Sequence, residues 1–155
     1  MWPGKSPDLI PLGDGLNFST PLDRVSSGTV VPTPFFFVRN NYPPANLSVG
    51  EWTLQVDGRV RRPLMVRLAD LRALPARSQE MWLECAGNGR SHFQPAAEGN
   101  QWNDFAVSNA VFTGVPLSAV LEQAGVEADA TEVVATGGDT PEFQRGLPLS
   151  VALQP

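Results

Sequence analysis

A chain of 155 residues is long enough to bury a core of its own and is ordinary for a single domain. Eleven basic against sixteen acidic residues give a net charge of −5, the wrong sign for a nucleic-acid binder. The single cysteine excludes an intramolecular disulfide, and no apolar run reaches the roughly eighteen residues of a membrane span.

Residues 1–34 read as an extended arm. Six prolines (Pro3, Pro7, Pro11, Pro21, Pro32, Pro34) and four glycines interrupt any period, and Leu16, Phe18 and Leu22 are its candidate anchors. The opening Met1-Trp2-Pro3-Gly4-Lys5 lacks the apolar core of a signal peptide. The expected location is therefore cytoplasmic as written, or periplasmic if an export signal has been removed. From residue 35 the chain reads as one folded body to residue 155.

That body opens on Phe35-Phe36-Phe37-Val38-Arg39-Asn40-Asn41. One reading is a buried edge strand whose Arg39 simply reaches solvent. The other is a strand that delivers the Arg39 guanidinium to a pocket, where its planar fork suits an oxyanion. Residues 52–57 alternate apolar and polar and end at Gly58, which predicts a strand and turn, with residues 64–66 as its neighbour. The basic residues Arg59, Arg61, Arg62 and Arg67 then fall on a solvated strand-and-turn surface, with a partner site as the lesser alternative. Residues 68–74 have helical spacing and stop at Pro75, and residues 78–83 alternate as a half-buried strand would.

That strand runs into Leu83-Glu84-Cys85-Ala86-Gly87-Asn88-Gly89-Arg90-Ser91. The Gly-Asn-Gly turn fixes a thiol at a strand end and leaves it approachable. Arg90 would favour the thiolate, and Glu84 would oppose it unless strand alternation points it to the opposite face. Four readings stay open on these residues. Cys85 is a small buried hydrophobe, a nucleophile served by His92 (the only histidine), a zinc ligand short of partners, or a lone thiolate ligand to a cofactor-borne metal.

Residues 102–112 form another apolar, partly extended stretch. Gly114-Val115-Pro116 opens a short helix with Leu117, Val120 and Leu121 buried and Gly125 as its stop. The β-branched residues 131–136 predict a strand ending at Gly137-Gly138-Asp139, and residues 147–153 look like the start of a helix. Arg39, Cys85 and Asp139 thus share one context, a strand end followed by turn chemistry, where binding residues commonly sit.

Four blocks carry a resemblance. Phe37-Val38-Arg39-Asn40, the Leu83 to Arg90 block, Ser108-Asn109-Ala110 with Gly114-Val115-Pro116-Leu117, and Gly138-Asp139 occur in the order and approximate spacing of the sulfite oxidase family of molybdopterin-dependent oxidoreductases. The resemblance covers roughly residues 18–155. It implies an α+β, sheet-rich fold with short peripheral helices, of which this chain carries the N-terminal part. It also implies a molybdenum-molybdopterin cofactor with Cys85 as the protein's thiolate ligand, and no haem in this chain. Arg39 matches the arginine facing the substrate oxyanion, Phe37, Val38, Asn40 and Asn41 match a segment packed on the pterin, and Asp139 matches an acid on the cofactor.

The implied reaction is oxidation of sulfite by oxygen-atom transfer, with electrons passed to an external carrier such as a c-type cytochrome. The resemblance also implies that full-length members usually add an immunoglobulin-like dimerisation domain, so a homodimer is an expectation for a full-length form. Two substitutions depart from the pattern: Asn41 stands where animal enzymes have histidine, and Phe105 where glycine is common. The chain also ends before the family's tyrosine and basic phosphate contacts. The alternative expectation is therefore a non-catalytic remnant or binding module of this fold, with exposed sheet edges and apolar surface that favour self-association.

Overall fold

The computed structural model describes residues 2–13, 15–25, 28–138 and 140–154. The chain divides into two compact units, residues 1–43 with 79–112, and residues 44–78 with 113–155.

In unit 1, β1 (Ile10–Pro11) pairs antiparallel with β2 (Phe18–Ser19), and the one-turn helix α1 (Leu22–Val25) follows. The first 34 residues contribute buried Leu9, Asn17, Ser19, Thr20 and Val31, whereas the expected anchor Leu22 is exposed. Lys5 Nζ donates to the carbonyls of Thr33 and Phe36 at 2.8 and 3.0 Å, which ties the start of the chain to residues 33–36. Partial burial there holds its amine below the usual lysine range.

The expected strand over residues 35–39 is largely absent. Pro32 and Pro34 fix φ, and Thr33–Phe35 closes as a 3-10 turn instead. Only Val38 keeps sheet-like pairing, exchanging both backbone hydrogen bonds with Phe18 at 2.9 Å.

Between the first strands of the chain and unit 1's later ones come β3 (Thr53–Val56) and β4 (Leu64–Arg67), which belong to unit 2. They pair antiparallel with Thr53 opposite Arg67 and Val56 opposite Leu64, as the alternating pattern predicts. Helix α2 (Leu68–Arg72) follows directly. β5 (Arg77–Glu84) then pairs with β6 (Val107–Gly114). They run in opposite directions, since Ser78 meets Thr113 while the Cys85 amide meets the Ala106 carbonyl. β5 was expected to be half-buried, but all eight of its residues are exposed, Trp82 at 68%. Its alternation is real, yet among the described residues no layer covers either face.

In the rest of unit 2, the expected α3 and β7 form, whereas β8 was not foreseen and takes in the first two residues of the expected 147–153 helix. Helix α3 (Leu117–Ala124) starts after Pro116 and ends at Gly125, whose φ of 68° is the left-handed C-cap geometry. Its buried face is Val120, Leu121 and Ala124, with Leu117 largely outside. Arg61 and Arg62 donate backbone N–H bonds to Gly125 and Ala124, so the β3–β4 loop caps the helix end. β7 (Glu132–Thr136) pairs antiparallel with β8 (Gln144–Pro148), and α4 (Leu149–Ala152) closes the described chain. Its Ala152 is buried.

A Cβ built at Gly125 would lie 2.9 Å from Arg61 Nε in a backbone conformation disfavoured for L-residues. Gly125→Ala should therefore lower stability by about 1–2 kcal/mol in urea unfolding, and an unchanged midpoint would refute the cap assignment. At the start of α2, Arg67 Nε and Nη2 donate to the two Asp70 oxygens at 2.8 and 2.9 Å. These hydrogen bonds hold the Asp70 carboxyl below the usual carboxylate range. A depressed acid pKa gives stability that is present above the unfolded-state value and lost as pH falls through the folded value. The pair is exposed, so that contribution is small. In an NMR titration, Arg67→Gln should move the Asp70 midpoint upward; identical curves would contradict the pairing.

Candidate functional site

Arg39 and Cys85 both belong to unit 1. The segment bearing Arg39 is held mostly by buried side chains rather than by a sheet. Thr20 Oγ1 donates to the Phe35 carbonyl at 2.8 Å and lies 2.9 Å from Ser108 Oγ, which accepts the Phe37 N–H at 3.3 Å. Beyond the Val38–Phe18 pairing, the carboxamide of Asn17 takes over. Its Oδ1 accepts the Asn40 N–H at 2.9 Å and its Nδ2 donates to the Asn40 carbonyl at 3.1 Å.

Arg39 itself is exposed. Its Nη1 donates to the Asn40 carbonyl at 2.5 Å and lies 3.5 Å from Asn17 Oδ1, while Nη2 donates to Asn41 Oδ1 at 2.5 Å. Each of these partners is neutral, and among the described residues no carboxylate forms an ion pair with it. The guanidinium is thus oriented without being neutralised, the state suited to attract an anion.

At the end of β5, the Cys85 N–H donates to the Ala106 carbonyl at 2.9 Å, and its own carbonyl accepts Asn88 N–H at 2.8 Å, closing a turn. Asn88 locks that turn from both sides: its Oδ1 accepts the Ala106 N–H and its Nδ2 donates to Glu84 Oε1, each at 2.9 Å. Glu84 is thus engaged by Asn88. Gly89 takes a φ of 74°, and its N–H reaches the Asn103 carbonyl.

Gly87 is buried, and a Cβ there would stand 3.1 Å from Arg90 Nη2 and 3.2 Å from Trp102 Cδ1. The glycines thus serve close packing and turn geometry. The Gly87 N–H points at Cys85 Sγ, 3.4 Å away. Trp102 is shared by the two segments, since its ring flanks Gly87 and meets the Phe37 ring edge-on at 6.3 Å.

Among the expected site residues, Phe37 and Asn40 are half-buried, Val38 is buried, and Asn41 is exposed. Asp139 lies outside the described residues. Arg90 reaches toward the Asn100 carbonyl, and its guanidinium packs by Gly87 and Gly99. His92 is held by Asp104, with Nε2 3.0 and 3.1 Å from the two carboxylate oxygens, and among the described residues no hydrogen bond joins it to Cys85. That geometry gives no support to a Cys–His nucleophile.

Sequence reasoning missed Asn17 and Thr20 altogether. Both are fully buried polar residues in a segment without periodicity, and no local pattern marks them. A cavity of about 450 Å³ in this unit is lined by Ile10, Ser19, Asn100 and Asn103 among others, not by Arg39 or Cys85.

Among the described residues, no group of three or more His, Cys, Asp or Glu side chains could hold a metal ion. Cys85 is nevertheless a half-buried thiol carrying an N–H donor, at a turn whose glycines allow close approach. That donor set fits a metal whose remaining ligands come from a cofactor. The family described as "Oxidoreductase molybdopterin binding domain" matches residues 41–155.

The chain belongs to that family. Rat mitochondrial sulfite oxidase is 32% identical over 148 residues, covering 90% of this chain and 27% of the relative. Tomato NADH nitrate reductase is 36% identical over 116 residues, 72% of this chain and 13% of the relative. The crystal structure of the sulfane dehydrogenase SoxCD from Paracoccus pantotrophus superimposes with a TM-score of 0.80 at 27% identity, over 97% of this chain and 39% of that one. This molybdopterin-binding domain therefore has the sheet-rich sulfite-oxidase-type fold expected from the resemblance. It spans a minor part of each relative's length. No helix among the described residues is long and apolar enough to cross a membrane.

If Asn88 fixes the molybdopterin-binding domain's cysteine turn, Asn88→Ala should expose the sulfur. The rate of Cys85 modification by a disulfide reagent should rise about tenfold, the equivalent of one lost buried hydrogen bond or two. Equal rates in the two proteins would show that the turn holds without it.

Proposed function

We propose that the protein is a molybdenum cofactor-dependent oxidoreductase acting on sulfite or a related small sulfur oxyanion, with electrons passed to an external carrier such as a c-type cytochrome. The observation that carries this reading is the presence, in one unit, of a half-buried thiol at a glycine turn and of an arginine whose hydrogen-bond partners among the described residues are neutral. When bound, the molybdenum-molybdopterin cofactor supplies the oxygen-atom transfer chemistry, which no side chain here can supply. No haem is proposed within this chain.

Cys85 serves as the thiolate ligand. The Gly87 N–H lies against its sulfur, and the turn fixed by Asn88 sets its direction. Arg39 attracts and orients the oxyanion by charge-assisted hydrogen bonds. Phe37, Val38, Asn40 and Asn41 form the segment on which the pterin rests, with Asp139 as a further contact. Asn41 has a second task in this chain, because it accepts from the Arg39 guanidinium and restricts its swing.

Nitrate reductases at 34–36% identity support a second reading, in which the oxyanion is nitrate and is reduced. Arg39 suits either anion, because both present oxygen acceptors to a guanidinium fork.

The test is molybdenum per chain, by elemental analysis of protein from molybdate-fed cells. The expected result is near one atom per chain, falling at least about tenfold in Cys85→Ser because a thiolate is a far better soft donor than an alcohol. Loaded protein should then reduce an electron-accepting dye when given sulfite, whereas reoxidation of a reduced dye by nitrate would select the second reading. Absence of metal from both proteins would overturn the proposal and leave a non-catalytic binding module.

A further inference from the structure

The geometry points to Asn17 as the positioning residue for the oxyanion-facing arginine, an inference that rests on the reading of Arg39 given above. Asn17 is 1% exposed, lies twenty-two residues before Arg39 and belongs to the end of the β1–β2 loop. Its carboxamide faces the backbone of Asn40 as a second strand would, accepting the N–H and donating to the carbonyl. The adjacent residue, Phe18, makes the corresponding double exchange with Val38 through its backbone. Asn17 therefore extends a two-bond pairing beyond Val38 with a side chain in place of a strand.

The placement matters because Arg39 borrows the same groups. Its Nη1 donates to the very carbonyl that Asn17 Nδ2 holds, and lies 3.5 Å from the very oxygen that accepts Asn40 N–H. Asn17 thus sets both the position of the Arg39 acceptor and part of the neutral surround that leaves the guanidinium charge available. Asn40 reinforces the link, donating its own Nδ2 to the Leu16 carbonyl at 3.4 Å. The residue type is constrained in two ways. Only a carboxamide of this reach offers one donor and one acceptor on neighbouring atoms, and only a neutral side chain does so without cancelling Arg39.

The roles of shape and charge separate in two variants of the 155-residue chain. Asn17→Ala removes both bonds, and Asn17→Asp keeps the acceptor while placing a carboxylate beside Arg39. Amide exchange at Asn40 and the Arg39 side-chain NMR signal under sulfate titration give the two readouts. The Val38 amide, bonded to Phe18, reports whether the segment is still folded.

Asn17→Ala should lose about tenfold or more of the protection at Asn40 while Val38 keeps its own. Asn17→Asp should retain most of the Asn40 protection yet bind sulfate at least about tenfold more weakly, an effect that loss of structure alone would not produce. If Asn17→Ala leaves Asn40 protected and Asn17→Asp binds sulfate within about twofold of the unaltered chain, the assignment is overturned. A different result, no sulfate response of Arg39 in the unaltered chain, would count against the oxyanion reading. The Asn40 exchange rates would still decide the positioning role in that case.

Discussion

Unit 1 depends on a short relay of hydroxyls. Thr20 donates its single proton to the Phe35 carbonyl, so the Ser108 hydroxyl must donate to Thr20, and Ser108 in turn accepts the Phe37 N–H. The direction of every bond is thereby fixed. Two backbone groups on either side of Phe36 are joined through side chains from two distant parts of the sequence. Both hydroxyls are almost fully buried, so losing one would leave a desolvated group without its partner. A purely apolar contact could hold Phe35 and Phe37 in place but would not set the phase of the chain that leads to Arg39.

The same strategy recurs throughout the site. Unit 1 uses side-chain amides and hydroxyls where larger sheets would use ladders. Asn17 pairs with Asn40, Asn88 pairs with Ala106, and Asn103 Oδ1 serves both Ser19 and the Phe105 N–H. Such bonds cost little in residue number and fix irregular backbone, which is what a loop must have if it is to present a side chain outward. Trp102 adds the bulk, 1% exposed, between the arginine segment and the cysteine turn. The combination is a rigid mount for residues that must be approachable.

The parts legible in the sequence were those governed by a period or a stop. Alternation gave β3, the Pro116 and Gly125 pair bracketed α3, and the glycine turn after Cys85 was visible as composition. β8 was missed because Gly146 and Pro148 suppress the strand signal. The pairing of Val134 with Gly146 shows that the register tolerates a missing side chain. The exposure of β5 was invisible because alternation reports the backbone's geometry, not whether a second layer exists. Arg39 and Cys85 stood out through motif chemistry, whereas Asn17 and Thr20 could not, since a buried polar residue is defined by partners distant in sequence. The 35–39 strand failed for a local reason, two prolines that force a turn where three phenylalanines suggested extension.

The open β5 strand bears on how the molecule behaves as a colloid. Met81 and Leu83 alternate with Trp82, so apolar side chains project from opposite faces of one strand, and all three are exposed. Against that short-range stickiness stands a net charge of −5, whose repulsion reaches about 10 Å at 0.1 M salt and only about 3 Å at 1 M. The attraction is not screened in the same way, and salting-out anions strengthen it. The molecule's tendency to stay dispersed is therefore set less by its fold than by the ionic strength around it, with dilute buffer as the condition that keeps neighbouring copies apart.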